Sequence, residues 1–274
     1  MKRVLYIGII LVLLLVLVGC ENSKTENTAK TIYTKTSENK TENKIENKVE
    51  NKSKETSKNT VNSEKEKADY KAFAEKQMSK PKKGETVAII KVKNFGDIKV
   101  KFFPEIAPKA VENFITHSKE GYYNGVTFHR VIDEFMIQGG DPEGTGSGGE
   151  SIWGEGFGPE LDASLVPYRG SLCMAMSSRP NSIGSQFFIT QANYSEKMGT
   201  YLKQSGYPED LLEQYKNYGG YLSLYMQYTV FGQVYEGMDV VDKIVKVEKV
   251  VGSDGAESKP VEDIVIENIK VMEY

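Results

Sequence analysis

The sequence predicts a mainly β protein, a closed barrel of short strands with two helices set against it and one helical insertion. Three observations predict this. Short runs rich in Val, Ile, Phe and Thr recur between glycine-bearing turns. Two well-separated stretches carry helical periodicity, and many short strands with few helices are the pattern of a closed barrel. One long segment between strands breaks the rhythm with helix start and stop signals of its own.

The chain opens with "MKRVLYIGIILVLLLVLVGC". Lys2 and Arg3 precede an apolar run from Val4 to Val18, followed by Gly19 and Cys20. That run has the length of a secretory core segment and falls short of the roughly 20 residues a spanning helix needs. "LVGC" resembles a bacterial lipobox, which makes residues 1–19 a lipoprotein signal peptide and Cys20 the lipid-modified N-terminus. A diacylated cysteine supplies the second acyl chain that stable anchoring requires, so the mature protein is expected on the outer face of the cytoplasmic membrane. An uncleaved membrane anchor is the alternative. Residues 20–67 are mostly Lys, Asn, Glu, Thr and Ser, with almost no large apolar residue and with "ENK" recurring at Glu38, Glu42, Glu46 and Glu50. Such a stretch buries too little surface to offset its ordering entropy and is read as a disordered tether.

The folded part follows. Residues 68–83 are a short helix, "ADYKAFAEKQM", and a connector ended by Pro81 and Gly84. Residues 84–274 are long enough for one domain with a sizeable core. "TVAIIKVKNFGDIKVKFF" (86–103) reads as a hairpin turning at "NFGD". "PEIAPKAVENFITHSKEG" reads as a helix with Ala107, Val111, Phe114 and Ile115 on one face. "VTFHRVI", "EFMIQG", "GSLCMAM", "SQFFIT" and "TVFGQVYEG" read as strands. "GMDVVDKIVKV" is the second helix, and "VEDIVIENIKVMEY" a closing strand or pair. The insertion, about 195–222, contains "YPEDLLEQYKNYGG", a helix opened by Pro and acids and closed by glycines.

Composition excludes several chemistries. Lys plus Arg number 35 against 38 Asp plus Glu, for a formal charge of −3, and no nucleic-acid partner is indicated. The cysteines are Cys20 and Cys173; with Cys20 lipidated no intrachain disulfide forms, and no Cys/His metal frame exists. The glycine loop after Gln138 lacks the lysine and the following helix of a phosphate cradle. His117 and His129 are the two histidines, and no nucleophile-elbow pattern accompanies them. His129 is expected to face away from Arg130, its neighbour on the strand.

Arg130 is the informative residue. Large apolar residues surround it in sequence, including Phe128, Phe135, Met136, Phe187 and Phe188. Gln138 and Gln186 are placed to hydrogen-bond across a shallow apolar groove and fix a guanidinium at its floor. "FHRVIDEFMIQGGDPEGTGSGG", "PNSIGSQFFIT" and "YTVFGQV", in that order, resemble cyclophilin-type peptidyl-prolyl cis-trans isomerases from about Thr86 to Tyr274, outside the insertion. The resemblance implies a closed eight-stranded barrel capped by two helices. It implies that Arg130, held by Gln138 and accompanied by Phe135, is the catalytic donor. It implies a proline pocket of Phe135, Met136 and Phe188 with Leu224 and Tyr228 on its rim. Gln186 and the backbone around Met176 and Ser177 would hold the peptide N-terminal to the proline. Phe187, alternating with Phe188, is expected in the core. The chain carries "SLYM" (Ser223 to Met226) where the family often has Trp-Leu-Asp-Gly, and Met176 where asparagine is common.

Rotation about an Xaa-Pro bond makes and breaks no covalent bond, so no metal or cofactor is expected. The expected partners are proline-containing segments of exported or unfolded proteins and, through Cys20, the membrane; a monomer is expected. A non-catalytic proline-peptide binding module or chaperone on the same fold, and an inert surface lipoprotein, are the alternatives.

Overall fold

The structure is a computed structural model describing residues 68–274. The expected signal peptide, Cys20 and the tether lie outside the described residues.

The first helix, α1 (Tyr70–Met78), starts where the Asp69 carboxylate accepts the Ala72 N–H at 2.9 Å. The connector leads into β1 (Thr86–Val92), which sends Ala88, Ile90 and Val92 into the core at period two. The chain reverses through Asn94 and Gly96, both at positive φ, into β2 (Gly96–Phe102). Helix α2 (Pro108–Lys119) follows, with proline in its first turn, where no N–H is needed. Its free N–H groups at Lys109 and Ala110 are taken by the distant Glu160 carboxylate at 3.1 and 2.9 Å. Then come β3 (Arg130–Ile132), β4 (Met136–Gly139), β5 (Ser171–Met174) and β6 (Phe187–Thr190). The insertion holds α3 (Glu196–Gln204), α4 (Glu209–Tyr218) and a single 3-10 turn at Leu222–Leu224. Strand β7 (Val230–Glu236), α5 (Met238–Ile244), the small hairpin β8 (Lys249–Val251) and β9 (Glu257–Pro260), and β10 (Ile266–Glu273) complete the chain.

Eight strands form one antiparallel sheet in the order β10-β1-β2-β7-β5-β6-β4-β3. The sheet curls but is open, which corrects the expected closed barrel. The segment entering β3 meets the start of β10 at one isolated bridge, Thr127 to Val265, flanked by a few hydrogen bonds such as Phe128 N–H to Ile264 O at 2.9 Å. Beyond Phe128 the chain leaves that register, and β3 lies instead against β9. At the other side of the sheet the entry to β1 meets the last residue of the sequence: Gly84 N–H donates to Tyr274 O and Tyr274 N–H to Glu85 O.

Helix α2 buries Ala110, Val111 and Phe114 inside the curl. Phe114 meets Phe187 edge-on at 5.1 Å and lies 5.5 Å from Phe231. Each such side chain contributes on the order of 2–3 kcal/mol of burial. A second cluster joins the insertion to α1: Leu202, Leu211, Tyr215 and Leu222 pack with Tyr70 and Ala74. The buried Gln77 amide fixes α1 further, donating to Val166 O at 2.7 Å and accepting the Val166 N–H at 3.0 Å. Helix α3 and the β8–β9 hairpin were not expected. In α3 only Leu202 is buried, and Gly199 lowers the helix propensity of a nine-residue segment. The hairpin pairs three residues of β8, and Val250 and Val251 stay exposed.

Candidate active site

Period-two alternation on β3 and β4 sorts the side chains. Val131 and Ile137 enter the core, while Arg130, Ile132, Met136 and Gln138 point to the other face. Register places Arg130 opposite Gln138 and Ile132 opposite Met136. The turn between them needs a positive φ at Glu134, a non-glycine residue. It is pinned from outside: Glu134 N–H donates to Gln191 Oε1 at 3.0 Å, and Asn193 donates twice to the Glu134 carboxylate. Phe135 follows that turn and is presented half-buried.

The same alternation on β6 sends Phe187 into the core and Phe188 to the groove. Met136, Phe188 and Leu224, with 1%, 5% and 9% of their surface exposed, form a floor together with Phe103 and Val230. Phe135 and Tyr228 stand half-buried at its edge, Tyr228 meeting Phe188 edge-on at 5.6 Å. The five apolar residues implied by the resemblance therefore share one cluster. Cys173 is in it too, and burial pushes its thiol pKa up, so it stays protonated and unreactive.

The Arg130 guanidinium borders this slot. Its carbon lies 5.8 Å from the Phe135 ring centre, and Nη1 lies 3.9 Å from Met136 Sδ. Its partner is not the expected one. Gln138 Nε2 donates to Gln186 Oε1 at 2.9 Å, while Arg130 Nε donates to Asp254 Oδ2 at 2.7 Å. The physical reason is the β8–β9 turn, which brings a carboxylate beside β3 and offers a charge-assisted bond that a neutral amide cannot match. Burial alone would raise the Asp254 pKa, but hydrogen bonds from Arg130, Ser258 and the Ala256 N–H hold it below the ordinary carboxylate value. Nothing in the sequence marked Asp254, which lies 124 residues from Arg130. Its Asp-Gly dipeptide signals a turn and no more.

Two clefts meet at Gln138. One, of about 590 Å³, is bordered by Gln186, Met176, Ser177 and the loop at Gly146–Gly148. The other, of about 700 Å³, runs between Arg130, that same loop and the β8–β9 turn. Gln186 is braced on both sides, accepting from Gln138 and donating to Gly148 O at 2.8 Å. Ser177 differs from the implied free backbone: its N–H donates to Ser182 Oγ at 3.0 Å and its carbonyl accepts from the same hydroxyl. His129 also departs from expectation. It lines the second cleft with Arg130, because β3 begins only at Arg130 and alternation does not reach back. Both its ring nitrogens are shut from solvent, and burial lowers its pKa. Among the described residues no group of three or more His, Cys, Asp or Glu could hold a metal ion.

The glycine loop spends its N–H groups internally. Buried Asp141 accepts from the N–H groups of Thr145, Gly146 and Gly148 at Oδ2 and of Glu143 at Oδ1, over 2.7–3.1 Å. Burial would raise this carboxyl's pKa; the N–H groups and the Thr145 hydroxyl more than offset it and keep the pKa low. Glycine is obligatory at position 140, where φ is +87° and a Cβ would sit 2.6 Å from Ser185 O. A residue missed from the sequence closes the slot from the insertion side: the Tyr221 ring lies 4.3 Å from that of Phe135. "SLYM" lacks the family's tryptophan, and Tyr221, just upstream of it, stands on Phe135.

Known proteins agree with this geometry. The family model described as cyclophilin type peptidyl-prolyl cis-trans isomerase/CLD matches residues 87–271. A Staphylococcus epidermidis protein, provisionally named a peptidyl-prolyl cis-trans isomerase, is 46% identical over 198 residues, 72% of this chain and 98% of its own. A Staphylococcus saprophyticus protein named in the same way is 46% identical over 191 residues, 69% of this chain and 94% of its own. A crystal structure of a Cryptosporidium parvum cyclophilin type isomerase aligns with TM-score 0.55 at 32% identity, over 69% of this chain and 99% of that one. A second structure of that protein, in the presence of the dipeptide ala-pro, aligns with TM-score 0.54. From its motifs, its curled sheet and its apolar slot beside an arginine, the chain belongs to the cyclophilin-type peptidyl-prolyl cis-trans isomerases.

Proposed function

We propose that Arg130 drives the isomerisation by stabilising the twisted Xaa-Pro amide. The planar amide is conjugated, and rotation faces a barrier of about 18–20 kcal/mol. At the halfway geometry the proline nitrogen loses conjugation and gains a lone pair, so a fixed donor beside it favours that form over either planar one. Only such a difference speeds rotation. Arginine fits the task, being permanently charged, planar and rich in donors.

The observation that carries this reading is the guanidinium standing over the Phe135 edge of a buried apolar floor, tied at Nε while Nη1 meets only the weak acceptor Met136 Sδ. The proline ring would lie on Met136, Phe188 and Leu224, between Phe135 and Tyr228. Gln186, with the backbone of Met176, would hold the preceding residues; the Ser177 backbone would have to exchange Ser182 for the peptide. The related structure obtained with ala-pro supports a proline dipeptide as the minimal ligand class. We further propose that the protein acts as a monomer on exported or unfolded chains, outside the cytoplasmic membrane and anchored through Cys20.

The test is cis/trans exchange of a short Xaa-Pro peptide followed by NMR at catalytic protein concentration. Arg130→Ala should lower kcat/KM by roughly two to three orders of magnitude, the usual cost of one transition-state donor. Wild-type rates in a folded Arg130→Ala protein would remove the arginine from the mechanism. Absence of exchange in the wild type would leave a binding module. For the anchor, Cys20→Ser should abolish labelling by a fatty acid and move the protein out of the membrane fraction; unchanged fractionation would refute it.

A further inference from the structure

We propose that Asp254 is a positioning residue of this isomerase: it holds the Arg130 guanidinium by its Nε edge and so leaves the Nη edge to the groove. The proposal rests on the reading of Arg130 as the donor to the twisted amide.

An arginine works as a pre-set donor only if its long stem is held, because both basic side chains carry about 2 kcal/mol of rotamer entropy. The residue opposite Arg130 in the β3–β4 register does not supply the hold, since the Gln138 amide is bonded to Gln186. Asp254 does, at 2.7 Å from Nε. Nε is the one guanidinium position that can be tied without occupying the terminal fork. The anchor is itself anchored. While Oδ2 takes Nε, Oδ1 accepts the Ser258 hydroxyl at 2.7 Å and the Ala256 N–H at 3.1 Å. The carboxylate is thereby locked inside its own β8–β9 turn, and β9 packs on β3, the strand that carries Arg130. The two side chains are 30% and 24% exposed, well sheltered compared with a surface pair such as Lys203–Glu209. A pair in that setting holds a geometry that a fully solvated pair does not.

The carboxylate also removes part of the positive field that the reaction uses. Its benefit therefore comes from orientation, which makes predictions different from those of a merely structural residue. Asp254→Ala should lower kcat by roughly 10-fold with KM nearly unchanged, the loss of one charge-assisted hydrogen bond felt in the transition state. Asp254→Asn, which keeps an acceptor oxygen for Nε, should lose less and so act as a partial rescue. The Arg130 Nε–H signal in the nitrogen-15 NMR spectrum, sharp and slowly exchanging in the wild type, should broaden in Asp254→Ala. In an Arg130→Lys background, which has no Nε, Asp254→Ala should cost almost nothing further, so the cycle is non-additive.

Exchange rates on the same Xaa-Pro peptide decide the matter, with circular dichroism reporting the fold of each variant. Asp254→Ala within twofold of wild type, faster than wild type, or equally damaging in both backgrounds overturns the proposal. If Arg130→Ala is inactive while Asp254→Ala is unimpaired, only the positioning role is lost. If Arg130→Ala is itself active, the arginine mechanism falls first.

Discussion

Asp141→Asn is the sharpest probe of the glycine loop. The wild-type carboxylate is fully buried and accepts five hydrogen bonds: at Oδ2 from the N–H groups of Thr145, Gly146 and Gly148 and from the Thr145 hydroxyl, at Oδ1 from the Glu143 N–H. An asparagine offers one acceptor oxygen. If that oxygen replaces Oδ2, the new NH2 group confronts the Glu143 N–H at the 2.9 Å site, donor against donor. One orphaned buried donor costs about 1–3 kcal/mol. The four remaining bonds lose their charge assistance, which is partly offset because a neutral amide is cheaper to bury than a carboxylate. The net expectation is about 2–4 kcal/mol of lost stability, which for a domain of this size lowers Tm by roughly 5–15 °C. Urea denaturation should show a lower midpoint with an unchanged slope. The acid side adds a second signature. The folded-state pKa of Asp141 is depressed, so its contribution is full above the unfolded value and disappears as pH falls through the folded one. Wild-type stability should therefore fall more steeply on acidification than that of Asp141→Asn. A loss under about 0.5 kcal/mol, the range of an inert surface change, would refute the claim that the loop is wound around this carboxylate.

Three further expectations concern the rest of the domain. Gln77→Leu strands the buried Val166 N–H and C=O, and should cost about 2–3 kcal/mol in urea denaturation while making residues 79–84 a site of limited proteolysis. Tyr221→Ala removes the ring packed on Phe135 and should raise KM several-fold with little change in kcat, an aromatic pair contributing about 0.5–1.5 kcal/mol. Phe187→Ala, in the core beside Phe114, should destabilise by about 3–5 kcal/mol and lower activity only through unfolding, as seen by comparing rates at a temperature where it remains folded.

Much of this was legible in the chain itself. The β6 alternation separated Phe188 from Phe187, because strand periodicity is local. The α2 and α5 segments were legible for the same reason. What escaped depended on pairs far apart. Whether the sheet closes is decided by a few residues near Thr127 and Val265, whose register no local pattern sets. Asp254 reaches Arg130 only because a marginal hairpin folds back on β3. Helix α3 is short and buries one leucine, and its packing against α4 is a tertiary contact that its own sequence does not announce. Gln138 was legible as a groove residue bonded with Gln186, but not in leaving Arg130 to Asp254.

The meeting of Gly84 and Tyr274 gives the domain a shared doorway for entry and departure. A passenger polypeptide appended after Tyr274 emerges beside the point where the chain comes in, along β10 and β1, whereas the slot is walled by β3, β4 and β6.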